Sequence, residues 1–290
     1  TGSVLLNTAI NASANNGNLL IASDGAMSFT GSNIDVGTGP VRIAPKTAGN
    51  LFEIGQVAPL QPSSLSGITA GDVILGSNFS GAVAGSIAWY SLEPLNTAAD
   101  YNLFLETQNA GSISLSSEIA LGINKNITFT TDDVVISTGG LLTGNGGDIV
   151  FNSRTNNMSL GGAAGFDLDN GELTTGIAGT VNNVVFQTQQ AGDSINVDGS
   201  GVSVAQSVVI NSSGSQNLNA EVLLLPVNES FTFPAADGGS LSVDGVRVVD
   251  VPGAAFELAN GNIYNGNVNA EITLIDPSSD PAVMPGDFTA

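Results

Sequence analysis

The sequence predicts an all-β chain wound as a parallel β-helix (β-solenoid) of roughly 13 coils. Two observations carry that expectation. The first is a short phrase, a small polar pair followed by alternating apolar residues, that returns as Gly17-Asn18-Leu19-Leu20-Ile21, Tyr101-Asn102-Leu103-Phe104-Leu105, Lys125-Asn126-Ile127-Thr128-Phe129, Gly147-Asp148-Ile149-Val150-Phe151, Asn182-Asn183-Val184-Val185-Phe186 and Gln206-Ser207-Val208-Val209-Ile210. From Leu103 to Ile127, from Ile127 to Ile149 and from Val184 to Val208 the spacing stays within a narrow range. A period of about 22–24 residues marks units that cannot bury their own apolar face and must stack on a neighbour. The second observation is that helical periodicity is almost absent, while short period-2 runs abound.

Those runs supply the strands. Ser112-Ile113-Ser114-Leu115, Met158-Ser159-Leu160, Ser194-Ile195-Asn196-Val197, Val202-Ser203-Val204 and Leu241-Ser242-Val243 alternate polar with apolar, so one face of each is buried. Glycine, 37 residues of the chain, gathers with Asn and Asp between runs, as in Asn145-Gly146-Gly147 and Asp237-Gly238-Gly239, where tight turns need positive φ. Two or three short strands precede each return of the phrase, as in Ile127 to Phe129, Val134 to Ile136 and Leu141 to Leu142. That grouping suits a coil with two or three faces, paired in parallel with the next coil about 4.8 Å away.

Three stretches break the period. Residues 50–76 read as a longer coil or loop. Residues 86–101 hold the only Trp, Trp89, with Tyr90 and Tyr101, and read as an excursion off the stack with a helical turn at Asn96 to Asp100. From residue 222 the repeat blurs. The chain is therefore expected to divide into a β-helix shaft over 1–221, further β coils or a small β module over 222–275, and a linker or tail over 276–290.

Composition narrows the function. With 5 basic against 26 acidic residues the net charge is -21, which repels nucleic acid, anionic membranes and anionic polysaccharides. A hydrophobic content of 42% and a mean hydropathy of +0.24 predict a folded core. There is no cysteine, so disulfides and thiolate chemistry are excluded, and no histidine, so imidazole triads are excluded. No apolar run is long enough for a transmembrane helix. The chain opens at Thr1 without a signal peptide and reads as a segment of something longer.

Several residues qualify as candidate sites. Asp167 and Asp169, in Asp167-Leu168-Asp169-Asn170-Gly171-Glu172, place oxygens at one turn and are candidate calcium ligands; no other cofactor is expected. Asp132-Asp133, or Asp167 with Asp169, could pair as in glycoside hydrolysis, but five scattered cations make a poor groove for an anionic sugar, and no catalytic residue is expected. Trp89, Tyr90 and Tyr101 form a candidate patch for stacking sugars or contacting protein. Sequon-like triplets begin at Asn11, Asn78, Asn126, Asn157, Asn211 and Asn228, where stacked Asn side chains hydrogen-bonding between coils are the structural explanation. The run Thr128, Thr130 and Thr131 suggests an ice-binding face but does not repeat in neighbouring coils.

The stretch Leu65-Ser66-Gly67-Ile68-Thr69-Ala70-Gly71-Asp72-Val73-Ile74-Leu75-Gly76-Ser77, among coils of the Gly147-Asp148-Ile149-Val150-Phe151 type, resembles filamentous-haemagglutinin-like exoproteins of two-partner secretion systems. The resemblance covers about residues 1–220 and is strongest at 51–85 and 100–160. It implies a right-handed parallel β-helix, extracellular on the cell surface of a Gram-negative bacterium, acting as an internal segment of an adhesin shaft. The implied partners are an outer-membrane transporter during export and then surface glycans or proteins in adhesion or biofilm contacts. Self-association as an extracellular filament or surface-layer subunit is one rival. A carbohydrate-active β-helix of the tailspike or polysaccharide lyase type is the other.

Overall fold

A computed structural model describes residues 2–29, 33–55, 60–90, 95, 100–137, 139–161, 166–168, 172–173, 176–197, 202–204, 207–214, 216–218, 222–224, 228–243, 246–254, 256 and 262–273. The chain divides into two units, Thr1–Leu223 and Leu224–Ala290.

The first unit is organised on an eight-stranded parallel sheet. Its strands, in spatial and chain order, are Leu19–Ala22, Pro40–Ala44, Asp72–Leu75, Asn102–Glu106, Ile127–Thr131, Ile149–Ser153, Asn183–Thr188 and Ser207–Asn211. Between them the chain enters other parallel sheets. One joins Leu51–Gly55, Ser86–Tyr90, Ile113–Leu115 and Val134–Ile136; one joins Ile10–Asn11, Ile34–Asp35 and Ile68–Thr69; another joins Glu118–Ala120, Leu141–Asn145 and Ile177–Thr180.

Register explains the recurring phrase. Leu19, Val41, Val73, Leu103, Ile127, Ile149, Val184 and Val208 pair strand to strand as one column. Ile21, Ile43, Leu75, Leu105, Phe129, Phe151, Phe186 and Ile210 form a second. Both face the core because alternate residues of a strand share a face. Phe129, Phe151 and Phe186 lie over one another with centroids 5.3 and 5.5 Å apart and planes inclined by 12° and 11°. Each buried ring contributes about 1.5–3 kcal/mol through area, and each ring pair about 0.5–1.5 kcal/mol more.

Two residues beyond that column the chain turns, and there, except at Pro45, a hydroxyl replaces the apolar group. Ser23, Ser77, Thr107, Thr131, Ser153 and Thr188 are all buried. Thr131 Oγ1 donates to the Gly111 carbonyl at 2.8 Å and accepts from Thr107 Oγ1 at 2.8 Å, while Ser153 Oγ donates to Asn156 O at 2.6 Å. A buried turn leaves carbonyls without ladder partners, and these short side chains satisfy them.

Eight stacked strands stand among the described residues where roughly 13 coils were expected. The even period fails three times: between Ile43 and Leu75, between Leu75 and Leu105, and between Phe151 and Phe186 the chain takes a distinctly longer path from one strand to the next. The first of these holds the short helix Pro62–Leu65, and the second a hairpin of Ser77–Asn78 with Gly81–Ala82. Nor does the chain leave the stack at residue 86. Every residue of Ser86–Tyr90 pairs in register with Leu51–Gly55. Of the rest of that expected excursion, Leu95 is buried and bridges Ile119, and residues 91–94 and 96–99, with most of the expected helical turn, lie outside the described residues.

The second unit pairs differently. Asn228–Pro234 runs antiparallel to Asn267–Thr273, and Gly238–Val243 antiparallel to Val246–Pro252 with an irregularity at Leu241/Ser242. Phe233 is buried with its ring 6.5 Å from that of Phe256, and a Cβ on Gly239 would fall 2.7 Å from the Phe233 ring, so only glycine fits there. Residues 228–273 are thus a small antiparallel module. The expected tail, 276–290, lies outside the described residues.

Candidate functional site

The aromatic patch does not form on the surface. Trp89 is fully buried, paired between Ile54 and Leu115 in the four-stranded sheet. Tyr101 is also fully buried, its hydroxyl donating to the Leu65 carbonyl at 3.2 Å, and burial pushes its pKa far above the usual phenol range. Tyr90, one residue after Trp89, lies on the opposite face, where it is half-buried and donates to Glu53 Oε1 at 3.1 Å. Its pKa is raised, first by burial and then by the Glu53 carboxylate. The period-2 geometry that makes Ser86–Tyr90 a strand thus sends the largest ring inward. Trp89 and Tyr101 are core residues, which corrects the expected patch.

Of the acidic candidates, Asp132 serves as a turn anchor. Asp132 is buried, with Oδ1 accepting from Thr155 N at 2.6 Å, and Oδ2 accepting from Ala110 N and Thr155 Oγ1, each at 2.6 Å. It ties three successive turns through both of its oxygens. Asp24 makes a similar anchor nearer the start of the chain, accepting from Thr47 N at 2.8 Å, Thr47 Oγ1 at 2.6 Å and Asn50 Nδ2 at 3.1 Å. The Thr47 hydrogen bonds hold its pKa below the ordinary 3.8. Asp167 belongs to the strand Phe166–Leu168, paired with Ser159, while Asp169 lies outside the described residues. Among the described residues, no three His, Cys, Asp or Glu side chains gather as a metal site would require.

Asn side chains form the expected ladder. On the residue preceding the first core column, Asn102 Nδ2 donates to Asp72 Oδ1 at 3.0 Å, Asn126 N to Asn102 Oδ1 at 3.2 Å, and Asp148 N to Asn126 Oδ1 at 2.8 Å. Asn182 and Asn183 both donate to Asp148 Oδ1 at 2.9 Å. The polar pair of the phrase is therefore a hydrogen-bonding device between strands, and the triplet at Asn126 is one of its steps. The Thr run does not make a flat array: Thr128 points outward and is half-buried, whereas Thr130 and Thr131 are buried.

One concave feature has no counterpart among the sequence motifs. A groove of about 430 Å³ crosses the three-stranded sheet, lined by Asn11, Asn33, Asp35 and Thr69, with Ile10 and Ile68 as its apolar part. Asp100 stands at its margin and pairs with Lys125 at 2.9 Å. Asn11, Asp35 and Thr69 are in-register partners on neighbouring strands. Each comes from a different coil of the chain, so no local motif announces them. Comparison with protein-family models, with curated proteins and with solved structures finds no match to this chain.

Proposed function

We propose that residues 1–223 wind as a right-handed parallel β-helix and serve as a rigid, non-enzymatic shaft segment of a secreted or cell-surface bacterial adhesin filament. The observation that carries this reading is the eight-strand ladder, in which core columns, hydroxyl turns and the Asn/Asp ladder repeat in register. Each strand contacts its neighbours much as the last does, so stiffness accumulates with length and folding can propagate from coil to coil. That suits a chain threaded unfolded through an outer-membrane transporter, and the absence of cysteine removes the risk of disulfides forming on the way. The resemblance of residues 65–77 to filamentous-haemagglutinin-like exoproteins supports a Gram-negative surface and a role in attachment or biofilm contacts. The turn-anchoring bonds of Asp132 support a mechanical role for that carboxylate.

One observation favours the rival reading, a self-assembling filament or surface-layer subunit. Among the described residues, Leu19–Ala22 and Ser207–Asn211 end the large sheet, each with one edge unpaired. Electron microscopy of the chain over a concentration series separates the two. Discrete particles at every concentration are expected for a shaft segment; long polymers with a regular axial repeat would make self-assembly the function.

A further inference from the structure

We propose that the groove on the three-stranded sheet binds an uncharged saccharide of one or two sugar units. The argument starts from register. Parallel strands about 4.8 Å apart carry Asn11, Asp35 and Thr69 side by side, so three hydrogen-bonding groups line up over about 10 Å. Asn33 stands beside them, one residue before Ile34, and its neighbours in the lining, Ala9 and Gly67, are small enough to leave the hollow. Asp35 Oδ1 accepts from Gly37 N at 2.9 Å, which fixes the carboxylate at the groove wall. The second Asp35 oxygen, the Asn33 amide and the Thr69 hydroxyl have no hydrogen-bond partner among the described residues.

The lining then selects the ligand class. The Asp35 carboxylate, with no lining cation beside it, disfavours phosphates, sulfates and uronates. A hard cation wants six or more oxygens, and Asp100 is already paired with Lys125. A purely apolar ligand would strip water from the amides, hydroxyl and carboxylate without replacing those bonds. A hydroxyl-rich neutral ligand meets each group: adjacent hydroxyls donate to the Asp35 carboxylate, the Asn33 amide both donates and accepts, and Asn11 Nδ2 donates while its Oδ1 is held by Ser13 N and Oγ at 3.2 and 2.9 Å. The volume of about 430 Å³ lies in the range of small-molecule sites. This inference goes beyond the shaft reading and does not depend on it, since three strands build the groove whatever the chain does mechanically.

The test is calorimetric titration of the full chain with maltotriose, cellotriose, mannotriose and triacetylchitotriose, against trigalacturonate. The same titrations follow for Asp35→Asn, which keeps an acceptor for Gly37 N, for Thr69→Val, and for Ser114→Ala on a different sheet as control. Circular dichroism verifies that each variant is folded. Binding of at least one neutral trisaccharide is expected, weakened about tenfold or more by Asp35→Asn, measurably by Thr69→Val, and unchanged by Ser114→Ala. Absence of neutral binding, equal binding of trigalacturonate, or wild-type affinity in folded Asp35→Asn and Thr69→Val would each overturn the proposal. None of these results bears on particle shape, so the shaft reading stands or falls separately.

Discussion

The two units solve the same problem, burying one face of each strand, with opposite strand directions. In Thr1–Leu223 parallel pairing sets like beside like: Phe129 on Phe151 on Phe186, Thr107 against Thr131, Asn102 next to Asn126. In Leu224–Ala290 antiparallel pairing runs the partner backwards, so Phe231 is in register with Ala270 and Phe233 with Val268. A parallel stack therefore writes its register into the sequence as a period, while an antiparallel pair does not. The lesson is that the repeat is a record of the ladder, and it stops where the ladder stops.

Several substitutions would break or sharpen that contrast. The largest effect is expected from Phe151→Ala, which removes a ring stacked on both sides and should cost about 3–5 kcal/mol in denaturant unfolding. Phe233→Ala, with a single tilted ring neighbour, should cost less. Trp89 is the one tryptophan and lies in the first unit, in the four-stranded sheet, so its fluorescence reports the unfolding of that unit. Equal shifts of the Trp89 transition in the two variants would erase the distinction.

Gly147→Ala should follow, at about 2 kcal/mol, because a Cβ there would fall 2.0 Å from the Lys125 carbonyl of the preceding coil. Thermal unfolding reads the loss, and a neutral result would mean the turn is not held as tightly as the sheet beneath it. Thr131→Val keeps the shape but leaves the Gly111 carbonyl and the Thr107 hydroxyl without that partner, for about 1 kcal/mol. A stability equal to wild type would show that water replaces the hydroxyl.

How much of this was legible beforehand follows from the same physics. The phrase Lys125-Asn126-Ile127-Thr128-Phe129 could be read because strand alternation and the Asn ladder both act within one short strand and the residue before it. Trp89 reads as a surface residue because its surroundings, two tyrosines and a proline in an irregular stretch, look like a surface loop. Its partners Ile54 and Leu115 lie a full coil before and after it in the chain and cannot be seen locally. The uneven spacing was hidden for a like reason, since the helix Pro62–Leu65 and the hairpin at Ser77 to Ala82 add length without disturbing register. The groove residues share a column only once three strands are aligned.

The smallest expected effect concerns pH. The Asp24 carboxylate has its pKa lowered in the folded chain by the Thr47 hydrogen bonds, so its contribution is present above the ordinary value of 3.8 and fades as pH falls through the lower folded value. Asp24→Asn should therefore show a flatter loss of stability below about pH 4 than wild type. Identical acid profiles would mean that the exposed anchor adds nothing.

The central claim is that successive coils of unequal length stack at a constant rise, and pulsed electron paramagnetic resonance tests it most directly. The chain has no cysteine, so nitroxides can be placed at will. Leu20, Thr128 and Val209 occupy one outward column of the large sheet, and the ordering of its strands puts Thr128 four steps and Val209 seven steps from Leu20. At about 4.8 Å per step, Leu20→Cys/Thr128→Cys should report a backbone separation of about 19 Å and Leu20→Cys/Val209→Cys about 34 Å. Distances that rise in that proportion are predicted. A Leu20 to Val209 distance no longer than that from Leu20 to Thr128 would contradict the stack.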